Sequence, residues 1–430
     1  MKKLFNILTS IGAVAMLVSC GNTGGDTTEG FKPTLDPETK CSIKVIGDYS
    51  NFEALEEEFD RFNEYYPNVD LAYEKIDGYN NNLATVLERE DKPNIFFSYT
   101  WMNGNDKYKP VFDHMEELSD SNLKLNLDSI RPSLLTRDKD NKVFMVPVFS
   151  RTYGTLVNND LFKKEGLSIP KTWNDLLSVC DSFIEKGYNS PLMGYSLKTS
   201  SSLMNTIAYP AFLAALKDNP EAFAKANNLD QSAGVYMRES LEKVKQLIDS
   251  NRINLEECDK ISDNYTKVIM RFFEGDVPMM ICAGDTVSGT KKRESQSEAY
   301  TKSPFAYTYH PIPLTDKGGY FVDSPSVEFS VNKNCNDLDM TNEFMRFLVT
   351  KEELSNMASL KRLVTPTKEM TFDPVYAPFN EVSADRTILP EVLGVKDGLS
   401  IQIRVASYKV GRNQLTIDEA IKQYGSFEDK

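Results

Sequence analysis

The chain has 430 residues, of which 40% are hydrophobic and 26% charged, with a formal net charge of −14. This is the composition of an ordinary globular protein, and the length exceeds the roughly 250–300 residues at which one hydrophobic core stops growing, so two lobes are expected. The acidity excludes nucleic acid and an anionic membrane surface as partners; with only two histidines and no clustered His or Cys, neither a zinc site nor another metal or cofactor is expected.

At the amino terminus, Lys2 and Lys3 precede an apolar run from Leu4 to Val18 that is interrupted by Asn6, Thr9 and Ser10. The run is shorter than the ~20 apolar residues a membrane-spanning helix needs, and it reads as a signal peptide over residues 1–19. Leu17-Val18-Ser19-Cys20 resembles the bacterial lipobox, whose cysteine is acylated at sulfur and becomes the new amino terminus. Cys20 is thus the expected lipid anchor, the plainer alternative being a secretory signal with a chance cysteine. Acyl chains partition at about 0.8 kcal/mol per buried methylene, so a multiply acylated cysteine holds the membrane without a spanning helix. Loss of Lys2 and Lys3 with the signal takes the charge from −14 to −16. Residues 21–40 are rich in Gly, Thr and Pro and poor in apolar side chains, and are expected to form a flexible tether.

Beyond the tether, Ser42 to Gly47 alternates polar and apolar residues and predicts a strand. Phe52, Leu55, Phe59 and Phe62 then recur at helical spacing, and that helix ends before Pro67. A strand over Val69 to Glu74, a helix around Leu83 to Arg89 and an apolar strand over Asn94 to Phe97 continue an alternation that predicts an α/β lobe with a largely parallel sheet. In such sheets ligands bind beyond the carboxyl ends of the strands. Asp48, Tyr49 and Ser50 after the first strand, and Tyr99 and Trp101 after the third, are therefore candidates on geometry alone. Five further cysteines, Cys41, Cys180, Cys258, Cys282 and Cys335, are scattered and odd in number; they read as small core residues, and spacing nominates no disulfide.

The central stretch runs from Lys142 through Val146-Pro147, Val157-Asn158, Asp160-Leu161-Phe162 and Gly166-Leu167 to Pro170-Lys171-Thr172-Trp173. It resembles the signature of family 1 extracellular solute-binding proteins, which include the maltose- and multiple-sugar-binding proteins of ATP-driven (ABC) importers. Val157 stands where that family usually has an aromatic residue. Thr172 is expected to cap the helix beginning at Trp173, with Trp173 packing structurally. Arg271 to Thr286 resembles a further family segment, but Asp285 and Thr286 occupy the place where relatives carry a sugar-stacking aromatic; Met279 and Met280 read as strand core. Gly318 to Lys333 resembles the crossover strand, which would put Gly319, Tyr320 and Phe321 near the hinge. Asp337 to Thr350 is expected to be helical, and Thr416 with Glu419 should form a capping box.

The resemblance implies an α/β protein of the periplasmic-binding-protein-like type II fold, with two α/β lobes, a central ligand cleft and hinge crossovers. The expected division places lobe 1 at residues 41–148 and 325–375, and lobe 2 at 149–324 and 376–430. It further implies a monomer, lipid-anchored on the outer face of the cell membrane, that captures a carbohydrate and delivers it to the permease subunits of an ABC transporter without making or breaking a bond. The residues expected to contact ligand are Trp101, Tyr99 and Tyr320 as stacking rings, Asp48 and Asp285 as hydroxyl acceptors, Arg151 as a donor, and Tyr49, Ser50 and Thr286 beside them. Each has a structural alternative, since most aromatic rings fill cores. Two other ligand classes, a polyamine and a polyol phosphate, remain open, as does a surface glycoside hydrolase. For the last, no carboxylate pair stands out, and there is neither a Gly-x-Ser-x-Gly elbow nor a phosphate-binding loop.

Overall fold

The computed structural model describes residues 30–428, apart from 104, 200–201 and 262–264. The signal peptide, Cys20 and the first part of the tether lie outside the described residues. Among the described residues thirteen strands are found: β1 Cys41–Gly47, β2 Val69–Lys75, β3 Ile95–Ser98, β4 Val146–Pro147, β5 Ser150–Arg151, β6 Tyr153–Asn158, β7 Leu192–Met193, β8 Met279–Ala283, β9 Tyr307–His310, β10 Phe321–Val322, β11 Ser324–Pro325, β12 Glu328–Val331 and β13 Thr387–Ile388.

The first sheet has the order β2-β1-β3-β12-β4. β1 runs parallel to β2 and β3, with Val45 opposite Ile95, whereas β12 is antiparallel to β3 and β4. β3 is buried along its whole length, as befits a central strand covered on both faces. β2 closes one edge with exposed Asp70, Glu74 and Lys75, charges that discourage pairing with another chain. Helix Glu53–Asn63 presents Leu55, Phe59 and Phe62 to this sheet, and helix Leu338–Leu348 adds Phe344 and Phe347.

The second sheet has the order β7-β8-β6-β9. Here β6 is antiparallel to β8 and β9, and only β7–β8 is parallel. The expectation of a largely parallel sheet therefore holds for β1, β2 and β3 alone. In the first sheet the antiparallel member is β12, which enters after the return crossing. Helix Trp173–Glu185 starts as the sequence indicates: the Thr172 hydroxyl accepts from the Asp175 amide and the Asp175 carboxylate accepts from that of Thr172. Thr416 and Glu419 form the same reciprocal box. Trp173 is buried with Lys243 Nζ 4.5 Å from its ring centroid, a structural role.

Two hydrophobic cores result. One gathers Ile43 to Phe149 with Val327 to Leu363; the other gathers Leu156 to Val322 with Val364 to Phe427. Val364, Val375 and Tyr376 already belong to the second, so the chain leaves the first core earlier than the expected boundary at 375. The five described cysteines are free thiols.

Three chain crossings join the lobes, and one buried node ties them. Arg131 donates from Nε and Nη2 to both oxygens of Asp323, each at 2.9 Å, and from Nη1 to the carbonyls of Thr365 and Thr367. Ser150 Oγ donates to Asp323 Oδ1 at 2.5 Å, and β5 pairs antiparallel with β11. The node places the hinge at Asp323 to Ser326 and its neighbours. Gly319 to Phe321 lie short of it: Phe321 belongs to β10, which pairs with β13, and Gly319 accepts from Arg386.

Residues 31–40 do not behave as the expected tether. Phe31 packs edge-on against Tyr65 and Phe347, and the Arg346 guanidinium lies 4.8 Å from its ring centroid. Thr34 donates from its amide and hydroxyl to Glu343, which also accepts from the Tyr66 hydroxyl at 2.6 Å. One aromatic ring and one threonine suffice to dock a segment that composition alone marks as free.

Candidate binding site

The ends of both sheets converge on one cleft. In the first lobe, Asp48 follows β1, Asn80 follows β2 and Tyr99 to Trp101 follow β3, all at the carboxyl ends of parallel strands, as strand direction requires. Gly47 lets β1 end close to the Phe97 ring, since a Cβ there would stand 2.6 Å from it. In the second lobe, Tyr195 follows β7 and Asp285 follows β8, while Tyr153 opens the antiparallel β6 opposite Ala283.

The main cavity has a volume of about 1380 Å³. Asn80, Trp101, Asn103, Asn105 and Thr136 line it from the first lobe, and Arg151, Tyr153, Tyr195, Asn205, Tyr209 and Asp285 from the second. Glu391 and Arg404 complete its far wall. A second cavity of about 240 Å³ adjoins it, lined by Asp48, Tyr49, Tyr99, Trp101, Arg151 and Asp285 together with Pro325, Ser326 and Val327 of the crossover.

Aromatic and polar groups are fixed before any ligand arrives. Trp101 stacks on Tyr99 with ring centroids 5.5 Å apart at 15°, and Tyr108 meets it edge-on at 5.3 Å. Across the cleft, Tyr153 and Tyr209 form a T-shaped pair at 5.5 Å. Tyr99 donates its hydroxyl to Asp48 Oδ1 at 3.0 Å. Asp285 is held at both oxygens, by Arg151 Nη1 at 3.0 Å and Ser326 Oγ at 2.6 Å. Loss of solvation raises the pKa of Asp48, a shift that the Tyr99 hydrogen bond opposes; its carboxylate is nonetheless open to water in the concave wall. Burial likewise raises Glu391, which accepts from Thr136 Oγ1 of the opposite lobe at 3.4 Å. Glu328 on β12 is wholly buried, and burial pushes its carboxyl far above the usual range, opposed only weakly by the Thr100 backbone.

Of the nine residues expected at the site, seven meet here: Asp48, Tyr49, Tyr99, Trp101, Arg151, Asp285 and Thr286. Thr286 is nearly inaccessible at 2% exposure. Ser50 is exposed and lines neither cavity, and Tyr320 packs against the second core beside Arg386, away from the cleft. Tyr153, Tyr195, Asn205 and Tyr209 were not anticipated. They come from the second lobe, whose short strands β7 and β8 carry little alternation to mark their ends; Asn205 and Tyr209 lie on helix Leu203–Leu216, which is buried on nearly all sides and has no polar face to mark them.

Two α/β lobes, crossings tied at a hinge and a polar, aromatic cleft between them define a two-lobed solute-binding protein. Residues 47–354 match the family described as bacterial extracellular solute-binding protein, and the chain belongs to that family. It is also 26% identical over 206 residues to an uncharacterised ABC transporter extracellular-binding protein of Pyrococcus horikoshii, a match covering 45% of this chain and about half, 47%, of that relative. Among solved structures, RafE of Streptococcus pneumoniae superposes with a TM-score of 0.69 at 16% identity, covering 92% of this chain and 98% of RafE; RafE is also known in complex with raffinose. A chitin oligosaccharide binding protein gives 0.69 at 17% identity, covering 90% and 97%. A mannobiose complex of an ABC transporter binding protein from Bifidobacterium animalis gives 0.64 at 14%, covering 93% and 98%. At these identities the likeness is one of fold.

Proposed function

We propose that this protein captures an oligosaccharide outside the cytoplasm and delivers it to an ABC import permease, held at the membrane through a lipid on Cys20 and acting as a monomer. The observation that carries this reading is the cleft itself. Its 1380 Å³ exceeds the ~300–1,000 Å³ usual for small-ligand pockets, and its walls combine an indole platform with amide, hydroxyl, carboxylate and guanidinium groups. Sugars need both: ring faces cover their C–H patches, and polar groups satisfy hydroxyls that burial would otherwise leave unpaired.

Charge supports a neutral ligand. Four cationic side chains line the main cavity, Arg137, Arg151, Lys396 and Arg404, against three carboxylates, Asp285, Glu391 and Asp397, with Asp48 in the adjoining pocket making four against four. A polyamine or a phosphorylated polyol would favour a cleft of one sign. Closure of the lobes about the Arg131–Asp323 node then follows from differential affinity: a ligand touching both walls favours the closed arrangement. The family is one of extracellular proteins, and the Leu17-Val18-Ser19-Cys20 sequence is what supports attachment by lipid.

Thermal stabilisation by raffinose, a chitin oligosaccharide and mannobiose tests the reading. A bound sugar at a hundred times its Kd adds about 2.7 kcal/mol, and the sugar should be recovered unchanged. Stabilisation by a polyamine or polyol phosphate alone, or release of a hydrolysed product, would sink it.

A further inference from the structure

Helix Thr290–Gln296 lines neither cavity, yet it ties the second lobe to the first at a place of its own. We propose that this helix is a latch: through Glu294 and Lys292 it holds the lobes in the arrangement seen here before any ligand is bound, so that both walls of the cleft are brought together in the free protein.

The central contact is Arg362. Its Nη1 donates to Glu294 Oε1 at 2.7 Å, to the Tyr307 hydroxyl at 2.7 Å and to Thr290 Oγ1 at 3.2 Å. Tyr307 donates in turn to Glu294 Oε1 at 2.5 Å, so the three side chains close on one another. Arg362 and Glu294 are only 20% and 28% exposed, and salt and water screen such a pair less than one on the open surface.

Each partner belongs firmly to one lobe. Arg362 directly follows helix Lys351–Lys361, and Leu363 after it still packs in the first core. Thr290 and Glu294 are fixed to the second lobe by their own helix, where Arg293 Nη2 donates to Thr266 Oγ1 at 2.7 Å, and Tyr307 lies on β9 of the second sheet. The tie has breadth as well. Lys292, two residues before Glu294, reaches Glu53 of the first lobe at 2.9 Å.

The backbone of Arg362 points the same way. It lies in the left-handed region, at φ 49° and ψ 47°, at the end of its helix. Glycine is the usual residue there because it has no Cβ to clash. The chain keeps an arginine instead, accepting a strained backbone and gaining a guanidinium aimed across the lobe boundary; strain of this kind collects at clamps and switch regions. The consequence is thermodynamic. A ligand that needs both walls binds with an apparent affinity reduced in proportion to the fraction of protein that presents them, and the latch raises that fraction whatever the ligand is.

The test is single-molecule distance measurement between labels on the two lobes of the ligand-free full chain. Arg362→Gly removes the guanidinium and suits the left-handed backbone, so loss of the tie is not confused with a strained turn; Glu294→Ala removes the partner on the helix. Each should lower the ratio of this arrangement to more open ones by about five-fold or more, and the double variant should go no further than the larger single effect. Tyr307→Phe, which keeps the ring and loses only the shared hydroxyl, should shift the ratio in the same direction, and it decides the matter if another variant fails to fold. Wild-type distances in any of these variants overturn the latch, because the contact is then a pivot kept in every arrangement. Effects that multiply in the double variant overturn it too, since Arg362 and Glu294 then do not act as one tie.

Discussion

Replacing Trp101 by alanine separates the two things its ring does. One face is stacked on Tyr99 and its rim meets Tyr108, whereas the remaining surface lines both cavities. An aromatic side chain buries ~150–250 Å²; the half offered to ligand is thus about 75–125 Å², which at ~25 cal/mol per Å² amounts to about 2–3 kcal/mol of binding. Affinity for the bound sugar should fall about 30- to 150-fold. Two lost ring pairs at about 0.5–1.5 kcal/mol each remove a further 1–3 kcal/mol of stability. For a chain of this size, with unfolding entropy near 2.1 cal/mol/K per residue, that is a drop of only about 1–4 °C in Tm. Titration calorimetry and a melting curve on the same sample read both. A lowered Tm with affinity within two-fold of wild type would falsify the ligand-stacking role and leave Trp101 as a packing residue.

The hinge node, the lobe contact and a buried acid give three more tests. Asp323→Ala strands Arg131 in a nearly closed site, and breaking such a pair costs about 3–5 kcal/mol, so urea midpoints should fall clearly; a shift below 1 kcal/mol would mean that Asp323 does not bind the crossings together. Lys292 of helix Thr290–Gln296 reaches Glu53 of the opposite lobe at 2.9 Å, and both are half-exposed. Such pairs contribute about 0–1 kcal/mol, so Lys292→Ala should lower the population of this lobe arrangement by up to ~5-fold, read by single-molecule distances between labelled lobes, and high salt should mimic it in the wild type only. Glu58 is wholly buried beside Glu353 and Arg61, and desolvation, then the neighbouring Glu353 carboxylate, raises its pKa to about 9. Between about pH 4.5 and 9 the folded protein keeps a proton that the unfolded chain has released, so this group's contribution is full below pH 4.5 and is lost as pH rises. Glu58→Gln should therefore gain stability relative to wild type as pH rises from 5 to 8, and should show a flatter Tm over that range; an unchanged slope refutes the assignment.

What the sequence discloses depends on how locally each feature is encoded. β1, β2 and β3 follow from alternation and apolar runs, and their order makes the strand ends a site before any contact is known; Asp48, Tyr99 and Trp101 stand there because strand direction alone puts them there. Thr172 and Thr416 are readable because a capping box spans four residues. Arg131 is the opposite case. Its partners Asp323, Thr365 and Thr367 are some two hundred residues away, and nothing near Arg131 in the chain distinguishes it from a surface arginine. Tyr320 fails for a related reason: placing a hinge by resemblance carries an error of a few residues, and at this crossover a single residue, Asp323, separates β10 in the second lobe from β11 at the hinge. Asp285 is the most instructive position. Read as the loss of a stacking ring, it weakens a carbohydrate assignment, yet the fold sets it against Arg151 and Ser326 with Trp101 as a neighbour in the same small cavity. On the proposed function the ring comes from the other lobe and the carboxylate serves as a hydroxyl acceptor, an exchange of roles that can be considered only when both walls of the cleft are in place.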